Sequence, residues 1–486
     1  MCHSCSGGEL SRREFLGTAA AGGILLMGGL SAQPLRAAEE AGWPKLPPVK
    51  VHVVYLGKGG AWPKPEFNAS AEVAGFQKYL AGVEERLGDV KFVGGQLITN
   101  SPAEAAKVAA KLGDADAVLL VHLSFGDASA FAEFIKTGKP VAIYSQPFSG
   151  HDWMYVAEWL RQGQRVILAA SSDRGDIDRA VALLRVPVYM RRTKILLVGP
   201  ANGTEAACNF QRVKEKLGVE VISIDVPTVV KVHAAIDPKE VEAEAESYWL
   251  SQAKKIVEPT RQEIVKSAGM YLAMKKLMID HGARAITIKC LGGIPIDKLG
   301  YPCLGFSKLL DLGLVGACEA DMDSTLTMLM FGYAFGVPGF ITDPLFDTAR
   351  NAVIHAHCLA PTKMNGPTDH RAPFVIRTHR DDNRGASLAV ELKVGQPITC
   401  AKLVNLDSLL ISTGKITEIP DFDDRGCRTQ IITEVADARS MLRNWGGGVL
   451  SGDMMTLLHR VVFYGDRLNA ARDLAQLMGI KVVMEG

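Results

Sequence analysis

The sequence predicts an α/β protein made of two doubly wound parallel-sheet domains followed by a β-rich C-terminal domain. From residue 49 onward, short continuous apolar runs alternate with stretches of helical periodicity, the pattern of strands buried on both faces and joined by crossover helices. The alternation starts afresh at residue 194, after a break near residue 190. Past residue 364 it gives way to short strand-like runs separated by Gly, Pro, Asp and Asn turns, a predominantly β pattern. The expected division is therefore a leader at 1–40, an N-terminal α/β domain at 41–190, a central α/β domain at 191–340 and a β-rich domain at 341–486.

Residues 1–40 read as a processing segment and stand outside the fold. Ser11-Arg12-Arg13-Glu14-Phe15-Leu16 has the form of a twin-arginine export signal, followed by a weakly apolar Gly/Ala-rich run at 17–32. That run is shorter than the roughly twenty residues a membrane span needs, so no stable anchor is expected. The mature chain is expected in the periplasm, with cleavage after Ala32, Ala37 or Ala38. Cys2 and Cys5 would leave with the leader, and the seven remaining cysteines are odd in number and too scattered for a disulfide framework.

In the first α/β domain, residues 49–56, 117–123, 140–144 and 165–169 are the strands, with helices at 71–87 and 102–112. The first strand runs into Gly57-Lys58-Gly59-Gly60, but Trp62-Pro63-Lys64-Pro65 follows where a dinucleotide-binding loop would open directly into a helix. NAD is not expected there. The second domain has strands at 194–199, 220–225 and 283–289 and a long polar helix at 238–277. Lys289 and Cys290 end its last strand, the edge at which open α/β sheets bind ligands, and Lys289 either lines such a pocket or is simply solvated. In the β domain, His379 either faces a pocket or is an exposed strand histidine. His459 sits beside an apolar run that also suits a core residue. A helix at 467–478 and a strand at 480–484 close the chain.

A net charge of +1, with 22% charged residues, gives no attraction to nucleic acid or to an anionic membrane. Chemistry concentrates instead in residues 315–364. A helix is expected at 324–335, with Asp321 or Asp323 as N-cap and Gly336 as the stop, and a short strand at 339–342 ending at Asp343 before Pro344. A helix of about twelve residues runs roughly 18 Å and about six extended residues return roughly 20 Å, so Glu319 and Asp343 can meet at one edge. If residues 351–358 form a strand, His355 and His357 share a face. Two carboxylates converging with imidazole suit a divalent cation, Mn²⁺ or Mg²⁺ before Zn²⁺. The same residues also suit a helix-terminal charge, a turn cap and hydrogen-bonded core histidines.

Cys318-Glu319-Ala320-Asp321 ahead of a Thr/Met-rich helix, then Gly336-x-Pro338-x-Phe340-x-x-Asp343 and Ala356-His357-Cys358-x-Ala360-Pro361, resembles the L-fucose and L-arabinose isomerase family of metal-dependent aldose–ketose isomerases. The resemblance implies that Glu319 and Asp343 hold Mn²⁺ or another divalent cation and act as acid and base, in an order the residues leave open. It implies that His357 and His459 complete the coordination or hold sugar oxygens, with His357, His379 and Lys289 contacting a monosaccharide. It further implies a β-rich, barrel-like C-terminal half and a homo-oligomer, trimer or hexamer. An exported sugar-binding relative without turnover is the alternative.

Overall fold

The computed structural model describes residues 42–60, 62–99, 101–420 and 426–486. The expected export leader lies outside the described residues. The first sheet comprises β1 (Val49–Leu56), β2 (Val90–Ile98), β3 (Ala117–His122), β4 (Val141–Ser145) and β5 (Val166–Ala170), all parallel in the order β2-β1-β3-β4-β5. Alternate residues of its strands feed two cores. Val51, Val53 and Tyr55 pack with Phe76, Leu80 and Ile177, whereas Val54, Leu56 and Leu120 pack with Phe131 and Phe134. Apolar side chains on both faces make the sheet doubly wound, each large one contributing roughly 1.5–3 kcal/mol on burial. Strand β2 was not expected from the sequence: it is an edge strand, half exposed, interrupted by Gly94 and Gly95, and carries no continuous apolar run.

The second parallel sheet, β10-β9-β6-β7, is built from β6 (Lys194–Val198), β7 (Glu220–Ile224), β9 (Ala285–Ile288) and the short β10 (Val315–Ala317), while β8 (Lys255–Ile256) leaves to join another sheet. The stretch at 238–277 is not the single helix expected. It is divided into Pro238–Glu244, a π-helical turn at Ala245–Leu250, β8 and a new helix Arg261–His281. Pro259 cannot donate into a continuing helix, and Thr260 with Glu263 forms a reciprocal capping box that starts the next one.

Beyond residue 340 the chain forms β11 (Phe340–Asp347), β12 (Ala352–His357), β13 (Phe374–Arg377), β14 (Ser387–Val390), β15 (Pro397–Val404), β16 (Ser408–Glu418), β17 (Thr429–Glu434), β18 (Arg460–Tyr464) and β19 (Lys481–Met484). Strands β15-β18-β11-β12-β17-β16 pair antiparallel in that order, and β15 also pairs with β16, which closes the ring into a barrel. β19 adds to β16, and β14-β13-β8 form a small separate sheet. The strand expected to end before Pro344 runs on to Asp347. Only Phe340–Thr342 pair with β18, so beyond them Pro344 lies on a stretch paired with β12 alone, where a missing N–H is tolerated.

Between the second sheet and the barrel lies the helix Met322–Phe335, apolar on every side and almost wholly buried. An all-round apolar helix needs neighbours on every side. Its Thr325 and Thr327 hydroxyls donate to the carbonyls of Asp321 and Asp323, which satisfies them inside the helix. The Tyr333 ring packs at a tilt, 5.5 Å from that of Tyr189 on the helix Gly175–Arg191, tying the element to the first sheet. Among the described residues no helix is long and apolar enough to cross a membrane.

Candidate metal and catalytic site

Glu319 leaves the carboxyl end of β10 and stands just ahead of the Met322–Phe335 helix. Glu319 and Ala320 both take left-handed backbone, with φ 59° and 55°. Each such residue costs roughly 1–3 kcal/mol and persists where its surroundings over-determine it. Here the clamp is Asn202, from the loop after β6. Its side-chain amide donates to the Glu319 carbonyl at 2.6 Å, its backbone N–H donates to the Ala320 carbonyl at 2.9 Å, and its carbonyl accepts from Met322 N–H at 3.0 Å. Nothing in the local sequence signals this partner, which lies 117 residues away.

The barrel supplies the other side chains. Thr342 pairs with Arg460, which sets Asp343 beside His459, and Asp343 pairs with Ala356, next to His357 at the end of β12. One ligand atom each from Glu319, His357 and His459 lies within 4.8 Å of the others. His357 Nε2 is 3.8 Å from Glu319 Oε1, and His459 Nε2 is 3.7 Å from Glu319 Oε2 and 3.3 Å from Asp343 Oδ1. The two rings meet edge to face at 5.5 Å. These separations are too long or too poorly aligned for hydrogen bonds, and Asp343 Oδ1, His357 Nδ1 and His459 Nε2 are buried without a hydrogen-bond partner among the described residues. Of these, Asp343 Oδ1 and His459 Nε2 face each other at 3.3 Å beside Glu319, and buried polar atoms left unpaired in this way are what a bound ligand would satisfy. Oxygen and imidazole donors on adjacent positions of a small divalent cation sit about 3 Å apart, so the set fits a cation.

The electrostatics follow from burial opposed by charge. Burial alone would lower His459, yet the Asp321 and Asp343 carboxylates raise it to about 10. Burial would raise Asp343, but His459 and His357 hold it below the ordinary carboxylate range. Asp321 was expected only as one of two possible N-caps. It is the cap, accepting from Ser324 N–H at 2.9 Å, and it also accepts from His459 Nδ1 at 2.9 Å. Burial opposes its charge, but Lys402, at 3.6 Å, and His459 hold it well below its usual range. Asp323, the rival cap, lies inside the helix and accepts from Thr204 N–H and Oγ1, with burial pushing it up to about 6. Gly203 is required beside it, because a Cβ there would come within 2.6 Å of Asp323 Oδ2.

The remaining predicted residues stand apart from this cluster. His355 shares the strand with His357, but its Nδ1 pairs with Thr342 Oγ1 at 3.1 Å, and burial drives it down to about 3, so it stays neutral. His379 stacks on Tyr301 at 4.3 Å with the rings nearly parallel. Burial opposes its charge, but Cys358 raises it to about 9. Lys289 is half-buried at the end of β9, its stem beside Gly199 and Gly293. Its ammonium makes no hydrogen bond or ion pair among the described residues.

No protein-family model matches the chain. Over 279 residues it is 24% identical to the sulfoquinovose isomerases of Priestia aryabhattai and Priestia megaterium (strain ATCC 12872 / QMB1551). The matched stretch covers 55% of this chain and 61% of each of those enzymes. The chain is thus distantly similar to a sugar isomerase over part of its length.

Proposed function

We propose that this protein is an aldose–ketose isomerase acting on a monosaccharide, with a divalent cation, Mn²⁺ by preference, held by Glu319, Asp343, His357 and His459. The observation that carries the reading is the convergence of Glu319, His357 and His459 within 4.8 Å beside Asp343, with Asp343 Oδ1 and His459 Nε2 buried and unpaired, on a chain similar to a sugar isomerase. The preference for Mn²⁺ rests on the donor set, two carboxylate oxygens plus imidazole.

An aldose and its ketose differ by one hydrogen moved between C1 and C2 and one moved between their oxygens. Bound among these side chains, the cation would supply Lewis-acid polarisation of the substrate oxygens. The chain's own part is proton transfer. One carboxylate of the Glu319 and Asp343 pair takes the proton from the hydroxyl-bearing carbon and returns it to the former carbonyl carbon, through an enediol. The other moves the proton between the two oxygens. A well-placed acid or base contributes about 10² to 10⁴ in rate. His357 and His459 would complete the hold on the cation or bind sugar oxygens, and His379 and Lys289 would contact the sugar from the rim.

The mature protein on this reading works after twin-arginine export, in the periplasm, as a homo-oligomer. Mild purification followed by metal analysis, together with a ketose colour test over a panel of aldoses that includes sulfoquinovose, tests the proposal. About one divalent ion per chain and turnover of at least one aldose are expected. Metal-free protein with full activity would sink it.

A further inference from the structure

We propose that Asp321 is the positioning residue of this site: by accepting the hydrogen bond from His459 Nδ1 it fixes the ring so that Nε2 faces Glu319 and Asp343. The inference rests on the cation-dependent reading above and assigns a role to a residue that reading does not use. An ionised carboxylate can only accept hydrogen bonds, so the 2.9 Å contact from His459 Nδ1 to Asp321 Oδ2 requires the proton on Nδ1. With Nδ1 committed to Asp321, Nε2 is the nitrogen left to a cation, which would bind there in place of the second proton. That atom is buried, without a partner among the described residues, and directed at two carboxylates.

The carboxylate is itself held in one orientation. Oδ1 accepts the Ser324 N–H at 2.9 Å and Oδ2 accepts the Ser324 hydroxyl at 2.7 Å. Lys402, fully buried on barrel strand β15, supplies the balancing charge at 3.6 Å and is anchored by donating to the Thr456 carbonyl at 3.2 Å. The helix N-terminus and the barrel thus converge on Asp321, and through it they set the ring. Asp323, two residues on, has its carboxylate occupied by Thr204 and has no such reach. Carboxylate partners of this kind fix the tautomer of metal-binding histidines, and losing one typically costs 10- to 100-fold in metal affinity.

Asp321→Asn discriminates sharply. With its amide oxygen on the Ser324 N–H, the variant keeps the helix cap but turns an NH₂ toward His459 Nδ1, which favours the tautomer with the proton on Nε2. In metal-stripped protein back-titrated with Mn²⁺ and followed by electron paramagnetic resonance, we expect Asp321→Asn to bind about 10- to 100-fold more weakly than wild type. Ser324→Ala, which keeps the carboxylate, should stay within about threefold. Equal affinity in Asp321→Asn and wild type overturns the proposal. A wild type that binds no Mn²⁺ overturns the cation reading and this inference with it, and the two failures are told apart by which protein fails. Should Asp321→Asn not fold, ¹⁵N-histidine spectra of wild type loaded with diamagnetic Mg²⁺ decide, with the His459 signals assigned by their loss in His459→Gln. We expect a proton on Nδ1 and none on Nε2, and the reverse overturns the proposal.

Discussion

Four buried histidines in the barrel and its rim show how one residue type is sorted by its partners. His355 is spoken for by Thr342 and kept neutral by burial, and His379 stacks on Tyr301 beside Cys358, while His357 and His459 converge with Glu319 within 4.8 Å. His459→Gln should therefore reduce Mn²⁺ affinity at least about tenfold, since it removes a nitrogen donor. His379→Gln should leave that affinity within about threefold and act on KM instead. Titration of metal-stripped proteins together with steady-state kinetics separates the two. The sequence pattern placed His355 and His357 on one strand face, and they do share β12. It could not say which was already paired, because the Thr342 hydroxyl reaches His355 across strands. Asp321 was legible as a cap and not as a partner of His459, since the two lie 138 residues apart.

The turn between β10 and the helix Met322–Phe335 stores backbone strain at Glu319 and Ala320, and Asn202 holds it. Asn202→Ala removes the donor to the Glu319 carbonyl and should cost about 1–3 kcal/mol in urea unfolding, with weaker metal retention because Glu319 is released. Ala320→Gly goes the other way. Left-handed backbone costs Ala roughly 1–2 kcal/mol and a glycine costs about 0.5–1 kcal/mol in unfolded-state entropy, so the variant should be neutral or stabilised by up to about 1 kcal/mol. A large loss of stability on Ala320→Gly would show that the turn is not strained as described. The helix itself was readable from Asp321, Gly336 and an apolar run, and begins two residues earlier than expected, at Met322. The left-handed pair was not readable, because neither Glu nor Ala favours that conformation and the cause sits in another loop. Strand β10 was missed because three residues are too few to show a period.

Two parallel sheets and a closed barrel meet around one buried helix, and the candidate site lies where the carboxyl edge of the second sheet faces the barrel. The α/β and β-rich halves were legible from the change in hydrophobic period. The closure of the barrel was implied only by the family resemblance and not by the period, since it depends on β15 pairing with both β16 and β18. Because Glu319 stands outside the barrel, with His357 at the end of β12 and His459 just before β18, a cation held by all three would bind only the assembled fold. Supplied at about 100 times its Kd it should stabilise by about 2.7 kcal/mol, so chelation should lower Tm by several degrees and Mn²⁺ should restore it. Export is tested separately: residues 1–40 fused to a folded reporter should carry it across the inner membrane, and Arg12→Lys with Arg13→Lys should abolish this. The central claim, that the two carboxylates move a proton between C1 and C2 of a sugar, is met most directly by turnover in D₂O with the product examined by NMR. Wild type should place solvent deuterium at C1 or C2, while Glu319→Gln and Asp343→Asn should each lower turnover and incorporation by at least about 10²-fold. Product formed by either variant at close to the wild-type rate, or a wild type that binds sugar yet never converts it or exchanges its carbon-bound hydrogen, would contradict the account.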